Sequence, residues 1–99
     1  MARTLLNEQQ LHAGLADLAP DWSVSGSALV RTVAFPSFLK AVGFITEMAP
    51  VAERLDHHPD LALSWRTVKL SLSTHSAGGL TELDLALARE LDAIIDRLV

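Results

Sequence analysis

Asp60-Leu61-Ala62-Leu63-Ser64-Trp65-Arg66-Thr67-Val68-Lys69-Leu70-Ser71-Leu72 is the stretch on which the fold turns. Leu61, Leu63 and Trp65 share one parity, and Val68, Leu70 and Leu72 share the other. Side chains alternate between the two faces of a strand, so each set lines one face. The phase change falls at Arg66-Thr67, which predicts two strands joined by a tight turn or bulge. Lys69, Ser71, Ser73 and His75 then occupy the face opposite the apolar set, with His75 ending the strand.

Upstream, Ser37 can cap a helix whose apolar stripe is Phe38, Val42, Ile45, Ala49 and Ala52, widened by Phe44 and Met48. Pro50 removes one hydrogen bond inside it and predicts a kink, with the helix continuing to about Leu55. Further back, Trp22 to Ser27 alternates and turns at Gly26, and Ala28 to Phe35 is rich in β-branched and apolar residues. Together they read as a first hairpin. Asn7 followed by Gln10 is a capping-box signal for a helix over about residues 8–18, closed by Pro20. Downstream, Gly78-Gly79 breaks the strand. Thr81-Glu82-Leu83-Asp84 opens a last helix with Leu83, Leu87, Leu91 and Ile94 as its stripe. The order is α-β-β-α-β-β-α. The expected class is α+β, one four-stranded antiparallel sheet with three helices on one face and the other face polar or meeting a second subunit.

Composition narrows the function. The 99 residues form one expected domain, spanning 1–99. Hydrophobic residues make up 49%, which for so small a chain suggests apolar surface hidden in a homodimer or homotetramer. No cysteine is present, which excludes disulfides, thiolate metal sites and cysteine nucleophiles. The formal charge is −4 and no Lys/Arg cluster occurs, which argues against direct nucleic-acid binding. No apolar run approaches the ~18 residues of a membrane span, and no signal-peptide pattern opens the chain, so a cytoplasmic location is expected.

The chemistry-bearing residues gather near the second hairpin. His57 and His58 lie in Asp56-His57-His58-Pro59-Asp60, where helix hands over to strand. Pro59 favours extended backbone at His58, and adjacent extended side chains diverge, so the two rings can line different walls of one cavity. In a hairpin the start of one strand lies beside the end of the next, which brings His75 towards them. Zinc could suit such a cluster, but the reading favours imidazole acid–base chemistry without a metal. His12 is expected to be exposed on the first helix and is assigned no role.

With Glu53, His57-His58-Pro59, Trp65, His75 and Asp84 at their spacings, the chain resembles the pterin-4a-carbinolamine dehydratase family. The segment Leu72-Ser73-Thr74-His75 with Gly79-Leu80-Thr81, together with Trp22, Arg31 and Phe35, agrees, and the resemblance covers about residues 6–98. Arg66 and Pro50 depart from the family pattern. The resemblance implies loss of water from a 4a-hydroxytetrahydropterin, left by an aromatic amino-acid hydroxylase, to give quinonoid dihydropterin. Pterin is then the substrate, and neither metal nor cofactor is needed. It implies acid–base roles for His57 and His75, pterin binding for His58, and supporting roles for Glu53 and Asp84, with Asp56 a weaker candidate. Trp65 is read as core or pocket wall. Two alternatives remain: a non-catalytic oligomeric binding or scaffold protein, as with family members that assist a homeodomain factor, and a lyase acting on another pterin of molybdenum-cofactor or folate metabolism.

Overall fold

The computed structural model describes residues 4–99. The elements are α1 (Glu8–Ala16), β1 (Ser23–Ser25), β2 (Ala28–Ala34), α2 (Phe38–Leu55), β3 (Asp60–Ser64), β4 (Thr67–Leu72) and α3 (Glu82–Leu98), with a 3₁₀ turn at His75–Ala77. The strands form one antiparallel sheet in the order β1-β2-β4-β3. The expected class and element order are therefore those of the protein.

Alternation sorts the sheet into two faces. Leu29 and Val33 of β2, with Val68, Leu70 and Leu72 of β4, are buried. They pack with Phe44, Met48 and Ala52 of α2 and Leu87, Leu91 and Ile95 of α3 in one core. Thr32 and Lys69 on the other face are exposed. Phe35 and Phe44 stack at 5.3 Å between ring centroids, joining the end of the first hairpin to α2. Helix α1 meets α3 closely, since a Cβ on Gly14 would fall 2.3 Å from Leu85 Cδ1.

The helix starts follow the sequence signals. Asn7 and Gln10 form a reciprocal capping box, as do Thr81 and Asp84, and the Ser37 side chain accepts from the Lys40 amide. Helix α2 runs through Pro50, which has no N–H to give the Thr46 carbonyl. Its buried stripe is Ala41, Phe44, Met48 and Ala52, not the one seeded on Phe38. Phe38 is half exposed and Ala49 is exposed, so the helix is rotated from the expected phase. Phe44 decides this rotation, because its ring is the one that stacks on Phe35 beneath the sheet.

A buried ionic cluster ties α3 to the first hairpin. Asp92 Oδ1 accepts from Trp22 Nε1 at 2.7 Å and from Arg31 Nη1, and its Oδ2 accepts from the Ala19 amide at 2.9 Å. Arg31 also reaches Asp21 at 3.3 Å, while its buried Nε has no partner among the described residues. Three donors from two segments thus converge on one carboxylate.

Candidate active site

The handover from α2 to β3 begins with a left-handed residue. Asp56 has φ 48° and ψ 44°, a conformation that aspartate tolerates better than most residues. The His57 amide then donates back to the Ala52 carbonyl at 3.0 Å, the bond that seals a helix end of this type. This reversal turns the His57 side chain inward towards α3, leaving His58 outside.

His57 is 6% exposed, and its Nε2 lies 2.6 Å from Asp84 Oδ1. Asp84 is fully buried in the first turn of α3. Its Oδ2 accepts from Thr74 Oγ1 at 2.8 Å and from the Thr81 amide at 2.9 Å. The same carboxylate therefore closes the capping box of α3 and holds the imidazole. Oδ1 is the oxygen left to accept from His57 Nε2–H, which in a neutral ring places the lone pair on Nδ1.

His58 is 55% exposed, and its Nε2 lies 2.7 Å from Glu53 Oε2, one helical turn back on α2. His75 is exposed and faces Asp60 across 3.7 Å. Each of the three histidines is thus matched to one carboxylate. Asp56, His57, His58, Ser73, Thr74, His75 and Ser76 line a single cleft of about 330 Å³. That is at the lower end of small-molecule sites, which span roughly 300–1,000 Å³.

Two expected placements change. His75 does not end the strand: β4 stops at Leu72, and His75 opens the 3₁₀ turn. Thr74 pairs with Gly79 in an isolated bridge and Gly78 takes φ 76°, so the chain doubles back through the turn that carries the ring. Trp65 is neither core nor pocket wall. It is 74% exposed at the tip of the β3–β4 hairpin with φ 55°, and the Arg66 guanidinium lies 5.6 Å from its ring centroid. A two-residue turn leaves its first side chain no sheet face to pack on, and the tip is the end of the hairpin away from Asp60 and the cleft.

Asp60 and Thr74 were not singled out from sequence. The hairpin register could have pointed to Asp60, since it pairs with Ser71 and so sits beside the strand end that leads to His75. Thr74 gave no local signal, because its partners Thr81 and Asp84 lie across a turn.

Comparison with known proteins finds relatives that cover most of the chain. The family described as pterin 4 alpha carbinolamine dehydratase matches residues 4–94. The chain belongs to that family. A relative from Nocardia farcinica, provisionally named pterin-4-alpha-carbinolamine dehydratase, is 48% identical over 95% of this chain and 98% of its own length. One from Roseiflexus castenholzii with the same provisional name is 45% identical over 92% and 97%. A crystal structure of a transcriptional coactivator/pterin dehydratase from Brucella melitensis superposes with a TM-score of 0.85 at 39% identity, covering 91% of this chain and 97% of that one. A pterin dehydratase-like RuBisCO assembly factor of the alpha-carboxysome shares the fold, with a TM-score of 0.62 at 23% identity over 75% of this chain and 86% of that one. Among the described residues, no helix is long and apolar enough to cross a membrane.

Proposed function

We propose that this pterin-4-alpha-carbinolamine dehydratase family member removes water from a 4a-hydroxytetrahydropterin, the product left by an aromatic amino-acid hydroxylase, by histidine acid–base catalysis. The observation that carries the reading is the convergence of His57, His58 and His75, each beside a carboxylate, on one cleft.

The reaction breaks the C4a–O bond and forms a double bond between C4a and N5. The leaving hydroxyl takes a proton and departs as water, and the N5 proton goes to a base. His57 is the base: Asp84 engages its Nε2, and among the described residues no hydrogen bond engages Nδ1. His75, on the opposite lip of the cleft, gives the proton to the leaving oxygen. His58, held by Glu53, orients the pterin ring. Imidazole exchanges protons near neutral pH, so both transfers proceed without strong acid or base. Positioned groups of this kind contribute about 10²–10⁴-fold each.

The test follows the decay of freshly generated 4a-hydroxytetrahydropterin by ultraviolet absorbance. The protein should accelerate it saturably. His57→Gln should lower the enzymatic rate by about 10²–10⁴-fold. His58→Ala should also abolish turnover while leaving the assembly state unchanged. Folded protein that gives no acceleration, or a fully active His57→Gln, would overturn the proposal.

A further inference from the structure

A buried chain of hydroxyls stands behind His57. The Leu83 amide lies 3.2 Å from Thr81 Oγ1, Thr81 Oγ1 lies 2.8 Å from Thr74 Oγ1, and Thr74 Oγ1 lies 2.8 Å from Asp84 Oδ2. Thr74 is 1% and Thr81 2% exposed, so water does not substitute for a missing link. An ionised carboxylate only accepts and a hydroxyl carries one proton, so with Thr74 donating to Asp84 the direction of every other bond is forced. Leu83 N–H donates to Thr81, Thr81 to Thr74, and Thr74 to Asp84. With Oδ2 accepting two bonds, Oδ1 is the oxygen left for the His57 Nε2–H, which meets it at 2.6 Å.

Thr74 also shapes the other side of the cleft. Its amide donates to the Gly79 carbonyl at 2.9 Å, and its carbonyl accepts from Ala77 at 2.9 Å and Gly78 at 3.0 Å. Those bonds close the turn that carries His75. One residue thus fixes the ring on the wall through its side chain and the ring on the lip through its backbone.

We infer that Thr74 is a positioning residue of the site, whose hydroxyl sets the tautomer and aim of His57 by relaying the donor polarity of the α3 N-terminus through Asp84. This rests on the proposed dehydration for its kinetic consequence, but not for its tautomeric one. Thr74→Val keeps the shape and removes the proton donor. Asp84 Oδ2 is then left with the Thr81 amide alone, and Thr81 is free to turn its hydroxyl elsewhere.

The experiment joins turnover to a direct reading of the ring. In the wild type, ¹⁵N–¹H correlation of the imidazoles should show neutral His57 protonated at Nε2. In Thr74→Val the ring should populate both tautomers, and kcat should fall about 10- to 100-fold, as is usual when a group that orients a reactive ligand is removed. KM should change by less than the kcat does. Thr74→Ser, which restores the hydroxyl, should return the single tautomer and most of the rate. Should the valine variant fail to fold, Thr74→Cys takes its place, since a thiol is only a weak donor. Wild-type kcat and tautomer in folded Thr74→Val or Thr74→Cys would overturn the inference. So would a fall in kcat with the His57 tautomer unchanged. If the wild type itself shows no dehydration, the functional reading fails separately, and the tautomer measurement still decides the role of Thr74.

Discussion

Removing the Asp92 carboxylate should cost this protein a large part of its stability without touching the cleft. Asp92 is 13% and Arg31 8% exposed, so the pair is shielded from water. In Asp92→Ala the guanidinium keeps only Asp21, which is 64% exposed and 3.3 Å away. The Ala19 amide and the Trp22 indole N–H lose their acceptor as well. Removing one partner of a buried pair costs about 3–5 kcal/mol, mostly because the other charge stays buried. A domain of this size has about 5–15 kcal/mol in total. At about 5 °C per kcal/mol, Tm should fall by about 15–25 °C. Urea unfolding followed by tryptophan fluorescence measures it, in a Trp65→Phe background so that only buried Trp22 reports. Protein concentration must be held constant, because association adds apparent stability. Asp21→Asn should cost less than about 1 kcal/mol, because Asp21 is itself exposed and Asp92 still neutralises Arg31. The double variant Arg31→Met/Asp92→Leu should be more stable than Asp92→Ala, since it leaves no unpaired charge. A loss below about 1 kcal/mol in Asp92→Ala with an unchanged denaturant slope would refute the reasoning.

Glycine substitutions should separate by site. Gly43→Ala, whose new Cβ would meet no described atom within 4 Å beyond its own stretch of helix backbone, should raise urea-unfolding stability by about 0.5–1 kcal/mol. Gly14→Ala should lower it by about 1–2 kcal/mol, because Leu85 would be pushed out of its place at 2% exposure. Pro50→Ala should stabilise α2 by about 1–2 kcal/mol by giving the Thr46 carbonyl its helical donor, read as a rise in Tm. Light scattering should find a dimer or tetramer, since Leu61, Phe38 and Leu39 leave apolar surface open on β3 and α2. A clean monomer at micromolar concentration would defeat that expectation.

Most of the framework was written locally. Capping pairs such as Asn7 with Gln10 and Thr81 with Asp84 lie three residues apart, and the strand alternation of Val68, Leu70 and Leu72 needs no distant partner. The meeting of His75 with His57 and His58 followed from hairpin geometry. What escaped depended on contacts across the chain. The phase of α2 was set by Phe44 finding Phe35, not by its first apolar residue. Trp65 reads as core or pocket wall from its parity with Leu61 and Leu63, yet the turn gave it no face to bury. Asp92 binds residues 61 to 73 positions away, and nothing in its neighbours announces that.

The three histidine–carboxylate pairs differ in how much water surrounds them. His57 with Asp84 is sealed, at 6% and 0% exposure, whereas His58 with Glu53 stands at 55% and 77%, and His75 with Asp60 at 80% and 78%. Mobile ions screen exposed charges over about 8 Å at physiological ionic strength and about 3 Å in molar salt, but reach buried pairs far less. Added salt should therefore loosen the two outer rings whenever they carry a proton, and leave the inner one in register. A flat, polar ring entering this cleft meets one wall as stiff as the protein interior and two whose grip the surrounding electrolyte can tune.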